Sequence, residues 1–553
     1  MNRQPSEQTE IDGPPWLTPA FAVLGIAAGL LVRAGIEVGP AASSPAGAAL
    51  AAFALFAAGS FALIFDAARW REQTVFALAL GLVEAGLAYN LAQAGRPSGD
   101  YAPAAAIALG LIAVPLFQSR AHRLRFAIDP AEAHGHAWTD AISAGGALAF
   151  LGASWIALTV TGELFALLKI TLVKDAIRST TFDFAFSGAA LGAALSVMRE
   201  QRRVVATLQL VAMTVLSLLA LPLAAVLVVF LGAMVVSGPG VLWEATRSAT
   251  PVLMGSAIGA FFLANAVLRD SDADLPRSRV VRFAGLVLPL GILPLAVFAA
   301  VSMGTRVAQH GLSPERLWAL VAIALACAWG LAWWVAAARG RLAGWPAAMR
   351  RANVHMAFVS LVAAAILALP ILDFGAIAAR NQVARLQSGA VQPDAFDYGA
   401  LRWDFGPAGR RALARLASDP RPQVRDGVAA AMVGGREARV PYFDRQEQAR
   451  RAAKAVIRPD DPDVRRAFGA FLTTRSYLCE QGCTLLRRSD PTRFALVDGG
   501  MVLGLSLRGG AFVQEPDPAP PGRSAGGPAQ VEIRKVTREQ VFVDGKPVGE
   551  PLD

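Results

Sequence analysis

The sequence predicts an α-helical polytopic membrane protein of about eleven spans, with a small C-terminal α+β region outside the membrane. Only 17% of the 553 residues are charged and the mean hydropathy is +0.44, whereas soluble domains carry roughly 25% charged residues. The charge is also concentrated at one end, since residues 380–553 hold 27 of the 52 Lys and Arg and 21 of the 42 Asp and Glu. These observations predict an apolar membrane part followed by a water-soluble tail.

Apolar runs of roughly 20 residues, the length needed to cross a bilayer, define a predicted bundle over residues 16–374. Residues 1–15 lack the basic n-region of a cleaved signal peptide, so we expect a cytoplasmic N-terminal tail and an uncleaved first span. Pro222 lies within a long run that is either one kinked helix or two short ones. The predicted spans are 16–36, 46–66, 74–94, 101–118, 141–168, 182–198, 204–235, 251–268, 282–304, 317–338 and 355–374.

The distribution of Lys and Arg between the spans predicts the orientation. Alternate connections on one side hold 17 basic residues and those on the other side hold eight. Because Lys and Arg are retained on the cytoplasmic side, this asymmetry predicts a multi-pass membrane protein with a cytoplasmic N-terminus. An odd number of spans then places the C-terminal tail in the periplasm.

The sequence after the last span divides into two regions with different predicted structure. Residues 375–418 are predicted to form a juxtamembrane amphipathic collar, whose aromatic residues either rest at the membrane interface or take part in helix packing. Residues 419–553 are predicted to form an extracytoplasmic α+β region. The predicted helices are 381–388, 407–418, 422–433, 443–457 and 462–474, and the predicted strands begin at Phe494, Met501, Val531 and Val541, with a flexible linker over 515–529 and an Asp-Gly hairpin turn near the end.

Two cysteines and two histidines have spacings that permit chemistry. Cys479 and Cys483, in Cys-Glu-Gln-Gly-Cys, are predicted to form a disulfide in an oxidising compartment, with two free thiols or a metal site as the alternatives. His134 and His136 lie in a predicted cytoplasmic connection and have a spacing found in metal sites. An H-x-H pair alone is a weak signal, since an interfacial loop accommodates histidine without a metal, and we expect no metal site.

Polar residues inside the predicted spans are the better functional candidates, because an ionisable group in the hydrocarbon region needs a partner or a water-filled cavity. Glu84 and Glu163 are the first candidates for a proton or substrate path. Asn90, Asn265 and Asp373 complete the set, although Asp373 lies near a span end, where solvation explains it.

No sequence feature supports catalysis or nucleic-acid binding. The chain lacks a P-loop, a G-x-S-x-G elbow, an H-E-x-x-H motif and a dinucleotide fingerprint. In the tail, 27 basic residues are mixed with 21 acidic ones and form no basic block interleaved with aromatics. We therefore expect no enzymatic activity, no cofactor and no nucleic-acid partner.

Several motifs together resemble a known family. They are His136-Ala-Trp-Thr139, Ala264-Asn-Ala-Val-Leu-Arg269, Gly311-Leu-Ser-Pro-Glu-Arg-Leu-Trp-Ala319, Asn381-Gln-Val-Ala-Arg-Leu386 and Phe396-Asp-Tyr-Gly-Ala-Leu-Arg402. In this order they resemble the DUF4153 family of bacterial multi-span membrane proteins, over roughly residues 130–410. The family pattern after the last span is nearer Ser-Gln-Leu-Ala-Arg, so Asn381 and Val383 depart from it. The resemblance implies an integral membrane protein with no established activity, and it supplies no catalytic residues.

Two functions are compatible with these features. The first hypothesis is a non-catalytic scaffold, sensor or assembly component that contacts membrane lipids and, through its tail, other envelope proteins. The alternative is a secondary transporter or lipid-handling permease that uses Glu84 and Glu163 in an aqueous cavity. The substrate, the partner and the oligomeric state do not follow from the sequence.

Overall fold

The structure is a computed structural model, and it confirms the predicted membrane architecture. Among the described residues, eleven helices are long and apolar enough to cross a membrane, so the protein is a multi-pass membrane protein. The described residues are 16–37, 44–93, 101–119, 128–238, 249–369, 371–433, 454–472, 478–479, 482–488, 490–498, 501–515, 539–543 and 546–552. The predicted N-terminal tail lies outside them.

The second of the first four helices begins at a serine cap followed by a proline. The Ser44 hydroxyl accepts a hydrogen bond from the Gly47 N–H at 3.0 Å, and Pro45 occupies the first turn that follows, where its missing N–H is not needed. These helices are α1 (Leu17–Glu37), α2 (Pro45–Ile64), α3 (Trp70–Leu91) and α4 (Tyr101–Gln118).

The next helices differ from the predicted spans at two places. Asp129 caps a helix that begins at Pro130, so this helix starts eleven residues before the predicted span at 141 and includes both His134 and His136. The prediction of a connection at these two histidines is therefore wrong. Pro222 does not divide its helix. The helices are α5 (Pro130–Leu167), the short α6 (Leu172–Ile177), α7 (Thr180–Glu200) and α8 (Arg202–Ser237).

The last spans form the most buried part of the bundle. In α10, 50% of the residues in an apolar stretch of 18 residues are buried, whereas the corresponding share is 11% in α1 and in α5. Leu288 on α10 and Trp333 on α11 are fully buried in this core. A helical run over Pro314–Ala368 breaks at Arg341, whose φ of 51° is not helical, and this break separates α11 from α12. The bounds are α9 (Ala249–Leu268), α10 (Arg279–His310), α11 (Pro314–Arg341) and α12 (Gly344–Ala368).

Small residues bring α1 and α7 into backbone contact. A Cβ atom added to Gly188 would lie 2.0 Å from the Gly25 carbonyl oxygen, and one added to Gly192 would lie 2.0 Å from the Phe21 carbonyl oxygen. Only glycine allows so close an approach, which increases the van der Waals contact that holds membrane helices together. The Gly-Ala-Ala-Leu-Gly run of α7 therefore packs within the chain.

The chain divides into two compact units, Met1–Ala384 with Phe405–Ala408, and Arg385–Asp404 with Gly409–Asp553. In the second unit, Phe396 and Tyr398 stack edge to face at 4.8 Å. A Cβ added to Gly427 would lie 2.3 Å from the Tyr398 ring, so these aromatic residues take part in helix packing. The helices after the last span are α13 (Phe374–Gln387), α14 (Tyr398–Trp403), α15 (Gly406–Leu416), α16 (Pro422–Val433) and α17 (Pro462–Leu472).

The second unit also contains the predicted strands. A five-stranded sheet has the order β1-β2-β3-β4-β5, with β1 parallel to β2 and the other neighbours antiparallel, and β6 pairs with β7 as a separate hairpin. Phe468 of α17 is fully buried with Phe494 and Leu505 of the sheet. The strands are β1 (Val456–Arg458), β2 (Thr484–Arg487), β3 (Arg493–Asp498), β4 (Met501–Arg508), β5 (Ala511–Gln514), β6 (Glu539–Val543) and β7 (Lys546–Leu552).

One predicted element of the tail is wrong where it is described. The predicted helix over 443–457 ends in strand β1, because Val456 and Ile457 pair with β2 and alternate between exposed and buried positions. Residues 443–453 of that helix lie outside the described residues, as do the predicted strand at Val531 and all but the first residue of the linker.

Candidate functional site

Glu84, the first candidate for a proton path, is buried between helices. Its side chain is 2% exposed, and its Oε1 atom has no hydrogen-bond partner among the described residues. A Cβ added to Gly110 of α4 would lie 3.3 Å from this oxygen and 2.6 Å from the ring of Phe56 on α2. Glu84 therefore packs against glycine and phenylalanine at the contact of α2, α3 and α4.

Glu163 has different surroundings. It lies near the end of α5, its side chain is 68% exposed, and its carboxylate pairs with Lys174 at 2.8 Å. It lines a small cavity with Thr159 and Leu167, and Glu84 lines neither this cavity nor the larger one described below. The structure thus does not bring the two carboxylates together.

Asn90 and Asp373 make local hydrogen bonds. The Asn90 amide donates to the Gly86 carbonyl of its own helix at 2.8 Å. The Asp373 carboxylate accepts from the Ala376 N–H at 2.9 Å, which makes it the N-terminal cap of α13. Both side chains satisfy backbone groups near them in sequence.

Asn265, in contrast, belongs to a network that joins three helices. Its amide oxygen accepts from Asn353 of α12 at 2.6 Å, and the Asn353 oxygen accepts from the indole N–H of Trp333 on α11 at 2.7 Å. The Asn265 amide donates to the Phe261 carbonyl at 2.9 Å. Because Trp333 is fully buried, its N–H needs this acceptor, and the chain of amides supplies it.

Arg350, which lies on α12 with Asn353, contacts the end of α9. Its guanidinium donates to the Leu268 carbonyl at 2.7 Å and pairs with Asp272. Arg269, with a φ of 52°, turns the chain after α9 and so presents the acidic residues that follow to Arg350. The Nε2 atom of His134 lies 3.8 Å from Asp270. We name these residues the closed cluster: His134, Asn265, Arg269, Asp270, Asp272, Trp333, Arg350 and Asn353.

Asp270 is one of three members of the closed cluster that have a buried atom without a hydrogen-bond partner among the described residues, together with His134 and Arg269. Its Oδ1 atom has no hydrogen-bond partner among the described residues. Burial raises the pKa of this carboxyl above its usual range, and the neighbouring Asp274 raises it further, against the opposite effect of Arg269 and Arg350. The closed cluster thus holds a partly buried carboxylate that burial disfavours in its charged form.

His136 faces away from the closed cluster, although it follows His134 by only two residues. Two residues of a helix are separated by about 200° around its axis. His134 therefore contacts the closed cluster, while His136 lines a cavity between α2, α3, α4, α5, α7 and α8. The helix separates the two imidazoles, so the spacing that resembles a metal site does not produce one here.

The cavity is lined by one polar face of α5. His136, Thr139, Asp140 and Ser143 follow the i, i+3, i+4, i+7 spacing that places residues on one side of a helix. The cavity encloses about 420 Å³, within the range of small-molecule sites. We name it the polar cavity, and its other polar lining residues are Asp66, Arg69, Glu72, Gln73, Gln118, Arg199 and Gln209.

Hydrogen bonds between helices hold the walls of the polar cavity. The Gln118 amide of α4 donates to both carboxylate oxygens of Asp140, at 3.0 and 2.9 Å. The Thr139 hydroxyl donates to the Gln209 amide oxygen of α8 at 3.2 Å. These bonds orient the Asp140 carboxylate and tie α5 to the helices on either side.

The opposite wall is formed around the end of α2. Arg199 of α7 donates to the carbonyl oxygens of Ala62 and Leu63, which are orphan acceptors at a helix C-terminus. The Gln73 amide oxygen, buried in α3, accepts from the Asp66 N–H at 2.7 Å. Arg69 pairs with Asp66 at 3.5 Å.

The sequence analysis missed the polar cavity, although one signal for it is present. The polar face of α5 has a helical period at the start of an apolar run, and this period becomes visible once the helix is known to begin at Pro130. The contributions of Gln118, Arg199 and Gln209 come from other helices, and no spacing in the sequence relates them.

In the second unit, Cys479 and Cys483 form a disulfide. Both cysteines are buried in the core of this unit, next to Leu478 and Leu485. The Cys479 N–H donates to the Asp498 carboxylate at 2.8 Å, which ties the disulfide loop to β3. The sulfur atoms are bonded to each other, so neither is a free thiol.

The motif after the last span also has a structural role. The side-chain amide oxygen of Asn381 accepts from the Leu312 N–H at 2.8 Å, and the side-chain amide of Gln382 donates to the backbone carbonyls of His310 and Leu312. These bonds satisfy the backbone where α10 ends, while Ser313 caps α11 by accepting from the Arg316 N–H. Two motifs distant in sequence thus meet at one turn.

Comparison with known proteins agrees with this placement of the motifs. No curated protein and no solved structure matches the chain. The model of the family described as a domain of unknown function, DUF4153, matches residues 20–416. This match covers ten of the eleven spans completely, nearly all of α1, and the helices that follow them to the end of α15. The chain therefore belongs to the DUF4153 family.

Proposed function

We propose that the protein is a non-catalytic component of the bacterial inner membrane whose spans anchor a periplasmic α+β module, and that it acts as a scaffold or sensor. The observation that carries this proposal is the second compact unit, which has its own hydrophobic core and a disulfide. A soluble module with a separate core can present a surface to other envelope proteins without assistance from the spans.

The orientation rests on two independent features. The ratio of 17 to eight basic residues favours a cytoplasmic N-terminus, and the eleven candidate spans among the described residues then favour an external tail. Disulfides persist in oxidising compartments such as the periplasm and are rare in the cytoplasm. Both features favour the same side for the second unit.

The test of orientation is thiol labelling in intact cells, with reporter fusions after Arg203, Arg279, Arg351 and Gly406. A membrane-impermeant maleimide is expected to label Cys479 and Cys483 only after mild reduction, and only the Gly406 fusion should report an external location. Labelling that requires cell lysis would place the tail in the cytoplasm and refute this part of the proposal.

The test of function is deletion of residues 420–553. A scaffold role predicts the phenotype of the complete gene deletion, with the truncated protein still present in the membrane. Glu163→Gln should be silent. If the deletion were silent and Glu163→Gln were not, the scaffold proposal would fail.

The transporter alternative does not gain support from the carboxylates that suggested it. A path through Glu84 and Glu163 needs both to face one aqueous cavity. Glu84 packs against Gly110 and Phe56, and Glu163 pairs with Lys174 near the end of α5. We therefore retain the scaffold or sensor as the proposed function.

A further inference from the structure

We propose that the polar cavity binds a primary ammonium group, carried either by a small free amine or by the headgroup of an aminophospholipid. This inference does not depend on the periplasmic location of the tail, because the polar cavity lies within the first compact unit. It is argued from the charges that line the cavity, from the acceptors that face it and from its size.

The balance of charge in the polar cavity favours a cation. Its described lining contains three carboxylates and two guanidinium groups. Arg69 pairs with Asp66, which is itself one of these carboxylates, and Arg199 donates to carbonyls at the end of α2. The charge of Asp140 is not neutralised by an ion pair with any described basic residue.

Asp140 is the anchor that we assign to the ammonium group. The donor of both described hydrogen bonds to it is the neutral amide of Gln118, whereas a carboxylate offers about four acceptor sites. An ammonium group donates three hydrogen bonds, and bonds between charged groups are roughly twice as strong as neutral ones. Gln118 therefore orients Asp140 without satisfying it.

Neighbouring groups supply the further acceptors that an ammonium group needs. Thr139 and Ser143 lie on the same face of α5 as Asp140, and the amide oxygen of Gln209 faces them from α8. A hydroxyl oxygen and an amide oxygen both accept hydrogen bonds. An amine that bonded to Asp140 would thus find a second and a third acceptor on two helices.

The rest of the lining limits the size and the character of the bound molecule. The volume of about 420 Å³ admits a small amine or one phospholipid headgroup. Apolar side chains of Leu63, Phe117 and Met198 line the same cavity, so a short apolar segment next to the amine would also be accommodated. Both sources share the ammonium chemistry, and the experiment separates them.

The experiment is calorimetric titration of the full-length protein in phosphatidylcholine nanodiscs with ethanolamine. Choline is the matched control ligand, because it has the same charge but no N–H donor. We expect ethanolamine to bind and choline to bind at least about tenfold more weakly. A second preparation in nanodiscs that contain phosphatidylethanolamine tests the lipid source through the melting temperature of the protein.

Variants connect the binding to the assigned residues. Asp140→Asn should weaken ethanolamine binding at least about tenfold, while Glu163→Gln, a carboxylate outside the polar cavity, should leave it unchanged. Ala206→Trp, at the edge of the cavity, should also weaken binding by filling space without removing a polar group. This variant keeps the proposal testable if Asp140→Asn does not fold.

The outcomes are distinct. Ethanolamine binding that depends on Asp140 supports a free amine. No ethanolamine binding, together with a higher melting temperature in phosphatidylethanolamine that Asp140→Asn abolishes, supports the headgroup. The proposal is overturned if ethanolamine does not bind and phosphatidylethanolamine does not raise the melting temperature, or if both Asp140→Asn and Ala206→Trp leave binding unchanged.

Discussion

The closed cluster and the polar cavity lie on either side of α5 and use similar residue types in opposite ways. In the closed cluster, Asn353 accepts from Trp333 and donates to Asn265, so these three side chains satisfy one another. Single atoms of His134, Arg269 and Asp270 have no hydrogen-bond partner among the described residues, but they line no described cavity. In the polar cavity, Asp140 receives hydrogen bonds from a neutral amide only, among the described residues, and faces open volume. The comparison indicates that polar residues of a membrane bundle serve stability where they are mutually bonded. They are available to a ligand where an incompletely bonded group also faces a cavity, as Asp140 does.

The largest loss of stability is expected for Arg350→Met, which removes the guanidinium group that bonds to both the Leu268 carbonyl and Asp272. The side chain of Arg350 is 6% exposed, and loss of a buried charged donor leaves its acceptors unpaired. We expect the free energy of unfolding to fall by about 3 kcal/mol. Urea unfolding in detergent measures it, with the exposed neighbour Arg351→Met as the control. Equal effects of the two variants would contradict the structural role of the closed cluster.

The next effect is expected for Asn353→Leu, which deprives Trp333 of its acceptor and Asn265 of its donor. A buried polar group without a partner costs about 1–3 kcal/mol, so the free energy of unfolding should fall by that amount. Asn90→Leu is the matched control, because Asn90 bonds only within its own helix. A double-mutant cycle with Asn265→Leu should show coupling, and strictly additive effects would indicate that the amides act separately.

Substitution of His134 and His136 allows a direct comparison of the closed cluster with the polar cavity, since both residues lie on α5. His134→Ala removes a buried ring from the closed cluster, and His136→Ala removes a ring from the wall of a cavity that water can fill. We expect His134→Ala to lower the free energy of unfolding by about 1–2 kcal/mol more than His136→Ala. Thermal unfolding of the two variants measures the difference. A larger effect of His136→Ala would reverse the assignment of the two sides.

A small, pH-dependent effect is expected from Asp270. Because its pKa is raised in the folded protein, the folded state retains the proton where the unfolded state loses it. The stability from this group is therefore present at low pH and lost as pH rises from about 4, the usual pKa, through the raised value. The melting temperature of Asp270→Asn should rise relative to that of the natural protein as the pH increases from 4 to 7. A constant difference over this range would contradict the shift.

The smallest effect is expected for Thr139→Val in the polar cavity. This variant removes one hydrogen bond to Gln209, and water in the cavity can replace the lost donor. We expect a change below about 1 kcal/mol in the free energy of unfolding. Thermal unfolding compares it with Asn353→Leu. If the two changes were equal, water would not replace the lost hydrogen bond, and the polar cavity would be as inaccessible to water as the closed cluster.

The sequence by itself determined the class of the protein and the positions of its spans. Apolar runs long enough to cross a bilayer are a local property of the chain, and the sequence predicts eleven, the number of candidate spanning helices among the described residues. Alternation and turn residues likewise predicted β3, β4 and the β6–β7 pair, but not β1, β2 or β5. The predicted bounds of two helices were wrong. Asp129 and Pro130 start α5 before its apolar run begins, and Val456 and Ile457 end a predicted helix by pairing with β2.

Only the tertiary structure decided which polar residues meet. Glu84 and Glu163 were equal candidates in the sequence, yet one packs against Gly110 and the other pairs with Lys174. Asp140 became a candidate site residue only in the folded structure, where Gln118 of α4 donates a hydrogen bond to it. The physical reason is that hydropathy acts on each span separately and locates it in the membrane. Hydrogen bonds and cavities depend on the rotation of helices against one another, which arises from packing between residues far apart in the chain.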